Sequence, residues 1–135
     1  MLQRDYIMKL IQQMIDSLFL LLNKQDIDEN ERKSQLNDFY NNYVRGTQNF
    51  YINTPVKDII TYIEQEYGKE EVIYRIEMLT EIMYQDSMLE EDLNTKKSKM
   101  EQNLALLNYL EENSNTYSMV RVGKIDELKK FLKDL

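Results

Sequence analysis

The chain has 135 residues, a formal net charge of −7, and 42% hydrophobic and 30% charged residues, an ordinary balance for one folded domain. It contains no Cys and no His, which excludes disulfides and thiolate chemistry and removes the commonest general base and transition-metal ligand. Three Gly and one Pro leave few helix breakers, and so acidic a domain is poorly suited to nucleic acid or an anionic membrane surface.

The first helix is expected over Gln3 to Asn23, with Tyr6, Leu10, Ile11, Met14, Ile15, Leu18, Leu21 and Leu22 on its apolar side. Its polar face lacks the Lys/Arg enrichment of a membrane-surface helix, so it reads as a packing helix. The longest unbroken apolar run, Leu18 to Leu22, falls far short of the ~20 residues that span a bilayer. Acidic and amide residues occupy the place of a signal peptide's apolar segment. With the missing Cys, this suggests a cytoplasmic protein.

Asn23 to Asn30 reads as a turn, with Asp28 and Glu31 forming a capping-box-like pair. Asp26, Asp28 and Asn30 also match the first three ligand positions of a calcium loop. The required Gly is Glu31 and the bidentate acid is Asn37, so the cap is the better reading.

A second helix follows from Glu29 to Val44, carrying Leu36, Phe39, Tyr40 and Tyr43 on one face and stopped by Arg45-Gly46. Thr47 to Asn53, TQNFYIN, reads as the one long irregular connection. Its consecutive Phe50, Tyr51 and Ile52 either plug the core or present an aromatic surface, and plugging is favoured. Thr54 as N-cap and Pro55 as first residue open a third helix bearing Val56, Ile59, Ile60, Ile63 and Tyr67, ended by Gly68.

Glu70 to Leu93 is the stretch around which the chain is organised. Val72, Ile76, Leu79 and Met83 share one face, and Met78, Ile82, Leu89 and Leu93 an adjoining one. So wide an apolar arc, against the ~100° of an ordinary surface helix, requires partners on two sides. Asn94 or Thr95 then caps a fifth helix, to Asn113, burying Met100, Leu104, Leu107 and Leu110 with Leu106 beside them. Ser118 caps a sixth, Met119 to Asp134, burying Ile125, Leu128, Leu132 and Leu135 with Phe131 flanking. Gly123 inside it costs about 1 kcal/mol relative to Ala unless a neighbour needs the space.

Short connections pair these helices as three antiparallel hairpins, one with two, three with four and five with six. The expected fold is therefore a single all-α domain over residues 1–135. A tetratricopeptide-like stack of about three hairpins is the leading arrangement and a closed helical bundle the alternative.

The opening MLQRDYIMKLI, the central YRIEMLTEIMY and the closing NSNTYSMVRVGKIDELKKFL resemble an uncharacterised family of tetratricopeptide-like helical proteins from gut-type anaerobic bacteria. The RDYIM-type start is the most specific of these motifs. The resemblance covers nearly the whole chain. It implies a tetratricopeptide-like array and a bacterial cytoplasmic protein of unknown function, and it carries over no catalytic residues. One departure is that the small residues usual at close helix crossings are nearly absent, with Ala105 the only Ala.

Glu77 and Glu81 lie four apart on the central helix, a spacing that suits a metal or an acid/base pair, although a solvated face is the simpler reading without His. There is no Gly-rich phosphate loop or nucleophile motif, and no cofactor is implied. Ten Tyr are the one compositional excess. Tyr and Arg are favoured at binding hot spots, which nominates Tyr74, Arg75 and Tyr84 as partner-binding residues. The alternative is half-buried Tyr at helix rims.

The sequence therefore points to a non-catalytic module, a scaffold or adaptor recognising a protein or peptide, with no nucleic acid or membrane as partner. A stoichiometric inhibitor or immunity-type protein is the alternative, and a small enzyme using carboxylate, Tyr and Lys groups a third. Self-association as a homodimer is a further use for any exposed apolar helix face.

Overall fold

The computed structural model describes residues 4–135, and among these it contains seven helices and no strand. They are α1 (Arg4–Asn23), α2 (Glu29–Val44), α3 (Gln48–Asn53), α4 (Val56–Tyr67), α5 (Val72–Leu89), α6 (Leu93–Asn113) and α7 (Met119–Asp134). The expected start of α1 at Gln3 lies outside the described residues.

The hairpins α1–α2, α4–α5 and α6–α7 form as the short connections require, and α5 is the element they share. It packs most extensively on α6, and also on α2, α4 and α1. Val72, Ile76, Met78, Leu79, Ile82 and Met83 are all buried, which is how so wide an apolar arc is covered. The outer hairpins lean on the middle one rather than broadly on each other. The result is an all-α stack of hairpins with an opening above α5. Ala105, the only Ala, is exposed, so no helix crossing uses it.

Several boundaries differ from the sequence expectation. TQNFYIN is not irregular: it forms α3, N-capped by Thr47, whose hydroxyl oxygen accepts from the Phe50 N–H at 3.0 Å. The segment plugs the core through Tyr51, which is fully buried, while Phe50 is half-buried against Tyr51 and Tyr62. Gln102 of α6 then donates to the carbonyls of Tyr51 and Thr54, fixing the end of α3. Thr54 therefore closes α3 rather than capping α4. Pro55 is the cap, its carbonyl accepting from Asp58 and Ile59 at 3.0 Å.

The central helix ends at Leu89, not Leu93, because Asp92 caps α6 by accepting from the Thr95 N–H and hydroxyl. Leu93 consequently lies in the exposed first turn of α6. Asp28 caps α2 as expected, at 2.7 Å from the Asn30 N–H, but Glu31 accepts from Gln35 and does not reach back.

At the end of α2 the left-handed residue is Arg45 (φ 47°), not Gly46. Gly46 serves a different need: a Cβ there would stand 2.5 Å from the Tyr51 ring. Gly123 has open space around it, so no neighbour explains it. Tyr6 and Leu135, assigned above to apolar faces, are exposed, and Ile7 takes the buried place on α1.

Arginines close helix ends that lack cations of their own. α1, α2 and α4 have no basic residue in the last turn, where one would complement the exposed carbonyls. Arg32 of α2 donates to the carbonyls of Leu21, Leu22 and Lys24 at the end of α1. Arg75 of α5 donates to Tyr43 of α2 at 2.8 Å, and Arg45 donates to Glu66 of α4 at 3.1 Å.

A buried polar cluster joins α2, α3, α5 and α6. Asp86 accepts from the Tyr40 hydroxyl (2.6 Å), the Gln48 amide (2.6 Å) and the Lys99 ammonium (2.8 Å). Lys99 also reaches Glu90 at 2.8 Å. Asp86 and Lys99 are each almost wholly buried, so the charges are stabilised by each other and by neutral donors rather than by water.

Candidate functional site

The opening above α5 is a cleft of about 640 Å³. Its floor is one face of α5: Ile73, Tyr74, Glu77, Thr80 and Glu81 recur at helical spacing and all line it. One wall is α1, contributing Met8, Ile11 and Ile15. The other is the end of α6 and the start of α7, contributing Leu107, Leu110, Val120, Arg121 and Lys124. The row Met8, Ile15 and Phe19 on α1 follows the helical repeat, and Phe19 extends it past the cleft as a 65% exposed ring. Val120 on the opposite rim is 66% exposed.

The charges on these walls are unequally satisfied. Lys124 pairs with Glu81, and Arg121 pairs with Glu111 while donating to the Thr116 carbonyl. Among the described residues the Glu77 carboxylate has neither a hydrogen bond nor an ion pair. Partial burial raises its pKa above the ordinary carboxylate value, the nearby Arg121 opposes this, and Glu81 adds to it. Glu77 and Glu81 are thus not a solvated face: both are half-buried, and only Glu81 has a cation.

The structure separates the three nominated residues. Tyr74 lines the cleft. Tyr84 continues the same face of α5 towards α7, where its hydroxyl donates to Glu127 and its ring lies 5.1 Å from the Lys124 ammonium. Burial, then the bond to Glu127, raises its pKa. Arg75 lies elsewhere. It is buried, pairs with Glu71 at 3.0 Å, and sits 4.0 Å from the centre of the Tyr67 ring while closing the end of α2. One residue along a helix is a rotation of about 100°, so its adjacency to Tyr74 in sequence does not put it on the same surface.

Other tyrosines spend their hydroxyls internally. Tyr51 donates to the Val44 carbonyl, Tyr62 to that of Arg45 and Tyr67 to that of Tyr43. The residues that sequence reasoning missed, Met8, Arg121 and Lys124, come from α1 and α7. Only the fold brings those helices to α5.

No group of three or more Asp, Glu, Cys or His with metal-site geometry occurs among the described residues, and no helix there is long and apolar enough to cross a membrane. Comparison with family models, with curated proteins and with solved structures finds no match to the chain.

Proposed function

We propose that the protein is a non-catalytic interaction module of the bacterial cytoplasm, a scaffold or adaptor that takes a protein or peptide segment into the cleft above α5. The observation that carries this is the cleft itself: an opening with a mixed apolar and charged lining, a tyrosine on its floor, and the hydrophobic side chains of Met8 and Val120 standing exposed on opposite rims. Such residues are normally covered or scattered on a monomer, and a cleft walled by helices suits a peptide segment. The tetratricopeptide-like family resemblance points the same way. The net charge of −7 further suits a basic target, as a stoichiometric inhibitor or immunity-type protein would have.

The second reading, a small carboxylate-dependent enzyme, is favoured by Glu77, whose pKa is raised within a cleft. The lining brings it no nucleophile–base pair, and the interaction reading accounts for more of the surface.

The test is affinity capture from a bacterial lysate with the tagged full chain and with a Met8→Glu, Tyr74→Ala variant shown by circular dichroism to fold. A protein held by the native chain and lost by the variant supports the cleft as the binding surface. A protein held equally by both moves the surface elsewhere. Retention of nothing but the chain itself refutes the adaptor reading in favour of self-association.

A further inference from the structure

We infer that the cleft recognises a basic side chain, a lysine or arginine set among apolar residues of a peptide, with Glu77 as its counter-ion. This rests on the interaction reading above and specifies what the cleft selects.

The inference follows from which charges remain available. Arg121 and Lys124 face the cleft, but the charge of each is already matched by a carboxylate, Glu111 and Glu81 respectively. Glu70, at the mouth, already has an interaction. Arg4 also lies at the mouth but is exposed, so water stabilises its charge. Glu77 differs from all of these: it is half-buried and, among the described residues, its carboxylate has no hydrogen bond or salt bridge, with Arg121 acting on it only through its field. A carboxylate in that position has lost part of its hydration and feels only the field of Arg121, a guanidinium already bonded to Glu111 and Thr116, with no hydrogen bond of its own in return. An entering ammonium or guanidinium restores what it lacks through a charge-assisted hydrogen bond.

The surroundings match the rest of such a ligand. Ile11, Ile15, Ile73, Leu107 and Leu110 line the same space. The methylenes of a lysine or arginine stem lie well along such a surface while the charged head reaches the carboxylate. The exposed Met8 and Val120 at the rims offer contacts to apolar neighbours of the basic residue. The overall charge of −7 speeds the approach of a cationic segment and slows that of an acidic one.

The test uses immobilised random nonapeptides whose central residue is fixed as Lys, Arg, Gln, Glu or norleucine. The probe is the full chain, native or carrying Glu77→Gln, with Glu112→Gln as a control that removes the same charge from an exposed site on α6. The native chain and Glu112→Gln are expected to prefer Lys- and Arg-centred peptides over Gln-centred ones by about tenfold or more. Glu77→Gln is expected to lose that preference while still binding apolar-flanked peptides. A preference that survives Glu77→Gln, or one for Glu-centred peptides, overturns the inference and leaves the interaction module standing. Absence of any peptide binding overturns both. Sedimentation at the same concentrations adds one arm: a dimer dissolved by Met8→Glu shows that a second copy fills the cleft, and the inference fails.

Discussion

Lys99→Met tests whether the Asp86 cluster is as dry as its geometry indicates. The substitution keeps the aliphatic stem and removes the cation, stranding a carboxylate whose side chain is only 5% exposed. Breaking a buried pair in this way costs about 3–5 kcal/mol. Asp86 retains hydrogen bonds from Tyr40 and Gln48, which places the expected loss at the lower end, about 3 kcal/mol. Unfolding entropy of about 2.1 cal/mol/K per residue over 135 residues gives roughly 0.28 kcal/mol/K, so Tm should fall by about 10 °C. Lys97→Met removes the same charge from an exposed pair, 3.9 Å from Glu101, and should cost under about 0.5 kcal/mol, or less than ~2 °C. Adding Asp86→Asn to Lys99→Met should recover more than half of the loss, since a neutral oxygen still accepts from Tyr40. Thermal melts followed at 222 nm measure all four proteins. Equal small shifts for Lys99→Met and Lys97→Met would show that water reaches Asp86 and that the cluster is not a buried ion pair.

Other outcomes are equally specific. Gly46→Ala drives a Cβ into the Tyr51 ring, which is anchored to the Val44 carbonyl, so it should cost about 1–3 kcal/mol in a denaturant titration. Gly123→Ala enters open space within α7 and should gain about 1 kcal/mol, or ~3 °C in Tm. Glu77 has a raised folded pKa, so its ionisation costs stability as pH rises through that range. Glu77→Gln should therefore melt higher than the native chain at pH 7 and no higher below the ordinary carboxylate range, despite the charges of Glu81, Arg121, Lys124, Arg4 and Glu70 around it. Burial raises the phenol pKa of Tyr40, with Asp86 adding to it, and that of Tyr51. The folded state then holds more protons than the unfolded one above about pH 10, and stability should fall as pH rises beyond that point. Part of the phenolate absorbance at 295 nm should appear together with loss of helical signal, and full ionisation without unfolding would contradict the buried placement.

Six of the seven helices were legible in the sequence because 3.6-residue apolar spacing persists over twelve or more residues in each. The burial of Ile76, Met78, Leu79, Ile82 and Met83 follows directly from that spacing. α3 was not legible, since six residues are too few to show a period and three adjacent large side chains look non-helical. The usable signal was Thr47, an N-cap three residues before Phe50. The cleft was half legible. Tyr74, Glu77 and Glu81 share a helical face and were singled out, but nothing local reveals that Glu81 meets Lys124, forty-three residues on. Nor does sequence show that Arg75 turns away to the end of α2, or that Lys99 is the partner of Asp86. Each of these depends on which helices are brought side by side.

The arginine closures have a consequence for how the cleft behaves. The carbonyls that end α1 are bonded through α2, and those that end α2 through α3, α4 and, at Tyr43, Arg75 of α5. Neither helix end is fully satisfied until its neighbour is docked, so these ends should open to amide exchange as one unit rather than fray separately. α1 is a wall of the cleft and α5 its floor, and α2 ties one to the other. The α1 wall and the α5 floor are thus set when the chain folds, and a ligand of the proposed kind would meet them already in position. Little of its binding energy is then spent on ordering the protein.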